Sequence, residues 1–450
     1  MKIGIYVINK NAKTAYKKEC FDIRINAGLL VVKDILNRKG YDVEYCSKAN
    51  VHNFDIVLFN FTSDCDFYPF IAERVQWRKG NYKVIAGGAG VLNVRPFLPF
   101  IDYFVLGRAE NVIDELIDNL SKHGEYEGKS IVNSKTFSPD KKYYINQVDE
   151  LYPHDIQLGN GKIYREDIIG CNHKCLFCGY TWHRKFSDSV GYFKYNSGIW
   201  LDEKHMERAI LDMYKDYSKI NFNCLRTTAI DGLSERLRFM VNKKITREIL
   251  QEFLYKIATC EKPHQFKFYN IVGYPTETYE DWLEFAEDIK IADKQAPKRE
   301  KQACILLHNT PFRAMPATPM ATQPMSYSNY RNVYGDLVGR DYNRHIFYLG
   351  GALYAKENPY VESLCSTIQS AIVWRGTEKD TDNIIKIATS KKFSSASAGV
   401  KQATLEKYFD VKTLFGKYTI DNLPTRYLET YTDYKKAIKI LENKIEVKNE

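Results

Sequence analysis

Three cysteines spaced C-x3-C-x2-C constrain this chain more than any other feature. They stand in Gly170-Cys171-Asn172-His173-Lys174-Cys175-Leu176-Phe177-Cys178-Gly179. An apolar run at 163–169 precedes them and reads as a strand. The cysteine loop therefore leaves a strand's carboxyl end, where a (β/α) barrel places its chemistry. Three thiolates held this close on one loop can ligate three irons of a [4Fe–4S] cluster. The fourth iron then lacks a protein ligand and is open to chelate a small molecule and pass it an electron.

Other uses of clustered cysteines fit less well. A C-x2-C pair can hold structural zinc, but zinc takes a fourth ligand, usually from a second Cys/His pair. No second C-x2-C or H-x3-H follows at finger spacing, and His173 and His183 are the nearby histidines. A disulfide framework would leave one of the three unpaired. The remaining cysteines of the ten are scattered, as in a reducing cytoplasmic compartment.

The cysteine segment, with the aromatic Phe177 just before its third cysteine, resembles the radical S-adenosylmethionine (SAM) family. The resemblance implies a [4Fe–4S] cluster on Cys171, Cys175 and Cys178. It places Phe177 near the adenine of SAM. Two further segments follow in family order. Asp231-Gly232-Leu233-Ser234-Glu235-Arg236-Leu237-Arg238 resembles the stretch in which an acid, a serine and an arginine contact SAM. An acid can pair with the methionine ammonium and an arginine with its carboxylate. The bland reading is a helix start, with Ser234 as cap and Glu235 in the first turn, and both readings can hold at once. Gly273-Tyr274-Pro275-Thr276-Glu277-Thr278 matches the family's G-x-P-x-E-T turn beside the adenine. The resemblance thus implies SAM contacts from Phe177, Asp231, Ser234, Arg236, Gly273, Tyr274 and Pro275. No glycine-glycine-glutamate motif is visible, and the interval from Cys178 to Asp231 is short for the usual two strand–helix units. An abbreviated barrel, or an irregular strand at 186–200, would account for that.

Ahead of this segment, strand-like runs at 2–8, 41–45, 55–61, 83–86 and 103–106 alternate with helical runs at 25–39, 70–79 and 111–123. That rhythm predicts a doubly wound, Rossmann-like parallel sheet, which takes ligands outside the carboxyl ends of its strands. The stretches Lys83-Val84-Ile85-Ala86-Gly87-Gly88-Ala89-Gly90 and Ile101-Asp102-Tyr103-Phe104-Val105-Leu106-Gly107-Arg108-Ala109-Glu110 resemble the cobalamin-binding domain found before many radical SAM enzymes. The resemblance implies cobalamin contacts from Thr62 and Ser63, from Gly87, Gly88, Gly90 and Asn93, and from Gly107, Arg108, Ala109 and Glu110. The D-x-H-x-x-G loop that binds cobalt in many cobalamin proteins is absent, as it commonly is in this subfamily. The alternative is a Rossmann-like remnant whose glycines only make turns.

A chain of 450 residues with 44% hydrophobic content suggests two or three domains. The expected layout is α/β: a cobalamin-type domain at 1–125, a connector at 126–160, a partial radical SAM barrel at 161–325 and a mainly helical domain at 326–450. Helices are expected near 328–338, 359–375, 380–391, 402–409 and 431–448, closing the barrel and carrying specificity. The proline-punctuated loop after Asn309 would run along the barrel mouth, with Tyr180 and His308 near it. No run of about 18 apolar residues predicts a membrane span. The net charge of +9 permits a nucleotide or nucleic-acid substrate without requiring one. Basic–aromatic neighbours such as Lys391-Lys392-Phe393, Trp374-Arg375 and Arg426-Tyr427 suit base stacking. They equally suit solvated helix faces.

The resemblance implies reductive cleavage of SAM to a 5′-deoxyadenosyl radical, with flavodoxin or ferredoxin as donor. Hydrogen abstraction would be followed by methyl transfer from methylcobalamin. The alternatives are rearrangement or ring contraction without methyl transfer, and a zinc-stabilised binding protein. A methylthiotransferase needs three more clustered cysteines, and Cys20, Cys46 and Cys65 are spread apart.

Overall fold

The computed structural model describes residues 1–6, 23–157, 163–166, 168–188, 210–325, 344–350, 354–356 and 362–446. Ile56-Val57-Leu58-Phe59 forms the middle of its first sheet. An unbroken apolar run marks a strand buried on both faces, and all four residues are buried. The strands are β1 (Lys2–Tyr6), β2 (Asp42–Cys46), β3 (Ile56–Asn60), β4 (Lys83–Gly87), β5 (Tyr103–Val105) and β6 (Ile131–Asn133). Their order is β2-β1-β3-β4-β5-β6, parallel except for β6.

Two helices, α1 (Ile23–Arg38) and α3 (Ile113–His123), cover one face, where Ile56 and Leu58 pack with Leu36, Leu116 and Ile117. Between them in sequence, α2 (Phe67–Arg74) covers the other face with Phe59, Val84 and Phe104. This helix starts earlier than the 70–79 run predicts. The Asp66 carboxylate accepts the backbone N–H groups of Thr62 (2.8 Å) and Ser63 (2.9 Å) and folds the turn that launches it.

The expected strand at 163–169 is split. Ile163 and Tyr164 pair with Ile156 and Gln157, and β7 (Ile168–Ile169) pairs antiparallel with Ser187 and Asp188. Between the two pieces, the buried Glu166 binds Arg108 and the Tyr152 N–H instead of alternating along a strand.

The second sheet has β8 (Thr227–Ala229), β9 (Gln265–Val272) and β10 (Ala303–Pro311) in parallel. Helices α4 (Glu235–Met240), α5 (Arg247–Thr259) and α6 (Tyr279–Gln295) connect them. Then β11 (Arg344–Leu349) and β12 (Tyr354–Lys356) add antiparallel strands, in a region expected to be helical. The aromatic and β-branched stretch Ile346-Phe347-Tyr348 explains them. The strand expected at 220–230 shrinks to β8, because the chain turns at Asn221, whose carbonyl accepts the N–H groups of Cys224 (3.0 Å) and Leu225 (3.1 Å). Residues 189–209 and the expected helix at 328–338 lie outside the described residues.

The C-terminal helices α7 (Glu362–Arg375), α8 (Thr381–Thr389), α9 (Ala398–Tyr408) and α10 (Tyr434–Glu446) do not simply close the second sheet. Ile368, Ile384 and Ile438 join the cluster of Phe59 and Phe61 on the first sheet. Asn93 fixes this packing: its amide donates to the carbonyls of Val373 (3.1 Å) and Gly376 (2.8 Å).

Candidate active site

The cysteine loop follows β7 and ends in a one-turn helix, Gly179–Trp182. Its own side chains and its neighbours hold its shape. Thr181 donates to the Cys171 carbonyl (2.8 Å) and the Trp182 indole donates to that of Cys175 (2.9 Å). Lys174 takes a left-handed turn, with φ of 56°, and donates to the Tyr431 hydroxyl. The turn after α4 grips the loop from the second sheet. The Leu176 N–H donates to the Val241 carbonyl (3.0 Å) and the Asn242 amide donates to that of Lys174 (2.9 Å).

Cys175 is buried, and Cys171 and Cys178 are half-buried. Burial pushes the Cys175 thiol up to about 12, with smaller upward contributions from Cys178 and Cys171. Burial also raises Cys178, and Cys171 adds to that. The three thiols therefore lie within electrostatic reach of one another. Among the described residues no three His, Cys, Asp or Glu side chains converge as ligands of a single ion would. Cluster thiolates bind separate irons and do not need to share a point. Three thiols carried on one stiffened loop are the donor types a cluster takes.

Sequence reasoning missed Lys243, which packs beside these thiols. Its ammonium is paired with Asp231, and both side chains are nearly buried. Burial works against that charge, and Asp231, then Cys175, outweigh it and raise the lysine's pKa. The one hint was its place in Asn242-Lys243-Lys244, just after the acid–serine–arginine segment. Asp231 sits at φ of 48°, and its carbonyl accepts from the Tyr274 hydroxyl (3.0 Å). Tyr274 in turn packs against Phe177 and Phe312, with ring centroids 6.4 and 5.3 Å away.

Ser234, Arg236 and the 273–278 turn are joined by hydrogen bonds of their own. Ser234 caps α4, accepting the Leu237 N–H (3.2 Å), and donates to Asp281. Arg236 binds the same Asp281 carboxylate and the Thr276 carbonyl (2.8 Å). Together they clamp the 273–278 turn to α4. Within that turn, the N–H groups of Gly273 and Tyr274 are taken by the Glu277 carboxylate, and Pro275 has none to offer. The helix-start reading of Ser234 is therefore realised.

Two cavities meet at this loop. One, of ≈ 380 Å³, lies at the carboxyl ends of β3, β4 and β5. Thr62, Gly87, Gly88, Gly107, Arg108, Ala109 and Glu110 line it, together with Asn60 and Glu166. Ser63, Gly90 and Asn93 do not. Gly90 abuts the Ser63 backbone, and Asn93 is fully buried against α7. Gly88 has φ of +101°, and a Cβ there would meet the Asn60 side chain at 2.2 Å and the Phe61 carbonyl at 2.3 Å. Arg108 spans the two acids Glu110 and Glu166. Among the described residues no histidine lines this glycine-floored edge.

The second cavity, of ≈ 480 Å³, opens beside Phe177 and Cys178 at the ends of β9 and β10. Phe312, Arg313, Met315 and Trp374 complete its wall. Gly88, Ala89, Gly107, Tyr180 and Arg184 line both cavities, so the two adjoin. His308 is not on either wall and packs against Tyr269. Of the basic–aromatic neighbours, Lys391 and Lys392 are exposed. Arg375 is buried and donates to four carbonyls, those of Ala321, Gln323, Leu414 and Gly416. Phe393 and Tyr427 are buried. Among the described residues no helix is long and apolar enough to cross a membrane.

No family model matches the chain. It is 25% identical to an uncharacterised protein of Methanocaldococcus jannaschii, covering 62% of this chain and 72% of that one. It is also similar to two structures of the cobalamin-dependent S-adenosylmethionine radical enzyme OxsB. With aqua-cobalamin and S-adenosylmethionine bound, the TM-score is 0.26 at 11% identity. With aqua-cobalamin alone it is 0.25 at 12% identity. Each match covers 99% of this chain and 61% of that one, so the chain spans about three fifths of those proteins. Scores this low decide nothing about fold or activity, and a functional reading rests on this chain's own residues.

Proposed function

We propose that this chain is a radical SAM enzyme. The carrying observation is the stiffened loop of Cys171, Cys175 and Cys178, set at a cavity that adjoins a second one on the glycine-floored edge of a parallel sheet. The three thiolates would hold a [4Fe–4S] cluster, and the β3–β5 edge would hold cobalamin. When bound, the cluster supplies an electron that splits SAM into methionine and a 5′-deoxyadenosyl radical, and cobalamin supplies a methyl carrier.

The protein's part is placement and exclusion of water. Phe177 and Phe312 form an aromatic wall suited to an adenine, with Tyr274 buried behind them. Asp231 carries the acid next to the thiols and Lys243 holds it in place, so Asp231 is the candidate partner of the methionine ammonium. Met315 and Trp374 keep the substrate space apolar. C-methyl transfer is the favoured outcome, because the two cavities adjoin. Flavodoxin or ferredoxin would supply the electron.

The test is single-turnover chemistry. Anaerobically reconstituted protein, reduced with dithionite, is mixed with SAM, and 5′-deoxyadenosine is quantified. Release that disappears in Cys175→Ala supports the reading. No release from protein containing a full complement of iron would overturn it.

A further inference from the structure

The wall of the second cavity carries two guanidinium groups and, among the described residues, no carboxylate. Arg184 is half-buried and stacks over the Tyr180 ring at 4.5 Å. Among the described residues it has no ion-pair partner within 4 Å. Arg313 is anchored from behind: Asp64 lies 3.7 Å away and the Ser366 hydroxyl accepts from it at 2.9 Å. Its Nε is buried with no hydrogen-bond partner among the described residues. Asp64 balances the charge of Arg313, which leaves Arg184 as the cation of this wall that no carboxylate among the described residues pairs. The nearest acids on the adjoining cavity, Glu110 and Glu166, are both bound to Arg108. His183 shares the wall but is neutral, because burial lowers its pKa to about 4. Thr310 and Cys178 also line it, and much of the rest is apolar or aromatic: Leu92, Ile145, Ile271, Phe312, Met315 and Trp374.

A partly desolvated cation without a carboxylate is costly unless a ligand supplies the counter-charge. A guanidinium stacked on a ring presents its fork of N–H donors in a fixed plane, which matches phosphate or carboxylate oxygens. We propose that this cavity takes a small organic anion, a phosphate or carboxylate head on an apolar or aromatic body, with Arg184 and Arg313 as the head-group contacts. This names the substrate class of the site proposed above and rests on that reading. The anion would sit beside the apolar wall, with its body toward Trp374 and Met315. The arginines serve the substrate, while Asp231 and the aromatic wall serve SAM.

Binding is measured by calorimetry on the full-length protein, with phenyl phosphate, benzoate and neutral benzyl alcohol as probes. The two anions separate a phosphate site from a carboxylate site. At least one should bind, at least tenfold tighter than the alcohol and more weakly as salt rises. Arg184→Met and Arg313→Met should each weaken it about tenfold, and Arg184→Lys should recover part of the loss. Circular dichroism confirms that the variants fold. Equal binding of alcohol and anions overturns the proposal, as does no change in folded Arg184→Met. A parallel loss of S-adenosylhomocysteine affinity also overturns it, by assigning the arginines to SAM. The assay needs no cluster. Anion binding by protein that fails to take up iron would sink the radical reading and leave the anion site standing.

Discussion

Asp231 and Lys243 form the most exposed flank of the proposed chemistry to single-residue tests. Their side chains are 14% and 11% exposed. Removing one partner leaves the other charge buried and unpaired, at a cost of about 3 kcal/mol. Asp231→Asn keeps a residue that tolerates the left-handed backbone, so urea unfolding should report the electrostatic loss alone. The double variant Asp231→Asn, Lys243→Met should regain most of it. His183 supplies a pH test. Its folded pKa is about 4, below the ordinary histidine value near 6.5, because it is buried. The unfolded chain therefore binds the extra proton first. The stability this gives is complete above about pH 6.5 and is lost as pH falls through about 4, to a total of roughly 3 kcal/mol. The stability of His183→Gln, followed from pH 7 to 4, should fall by correspondingly less. Lys243 and Arg184 were illegible in the sequence, because a lone lysine or arginine carries no spacing signal. Their meaning comes only from what the fold sets beside them.

At the scale of elements, the turn after β4 and the start of α4 carry the sharpest expectations. A methyl group at Gly88 would collide with backbone as well as with Asn60. Gly88→Ala should cost on the order of 2–3 kcal/mol. Gly40→Ala, at φ +86° with nothing within 4 Å, should cost only about 1 kcal/mol. Thermal denaturation of the pair separates close approach from conformational preference. Ser234→Ala should cost about 1 kcal/mol of stability through the lost cap, measured by urea unfolding. Its SAM affinity should stay unchanged, since its hydroxyl faces Asp281. A tenfold loss of that affinity would restore the contact that the family resemblance implies. The strands of the first sheet were readable because apolar runs such as 56–59 are short and bounded by turns. The 163–169 run misled because Glu166 leaves the strand to reach Arg108, a partner 58 residues earlier. The antiparallel β11 and β12 were missed within a third of the chain dominated by helical patterns.

For the whole molecule, the informative arrangement is that α7 links both sheets. Ile368 and Ile372 bury against the first sheet's aromatic face, and Trp374 closes the second cavity. The sequence could not indicate this, because the contacts join residues such as Asn93 and Gly376, 283 positions apart. Three thiols, an aromatic wall and a glycine-floored edge thus come to one place from distant segments. This is the place proposed to hold a [4Fe–4S] cluster. The most direct measurement is metal content after anaerobic reconstitution with iron, sulfide and hydroxocobalamin, with an ultraviolet–visible spectrum on the same sample. The expected result is about four irons per chain, a brown chromophore, about one cobalt, and loss of the iron alone in Cys171→Ala, Cys175→Ala and Cys178→Ala. Zinc in place of iron, or iron retained in all three variants, would contradict it.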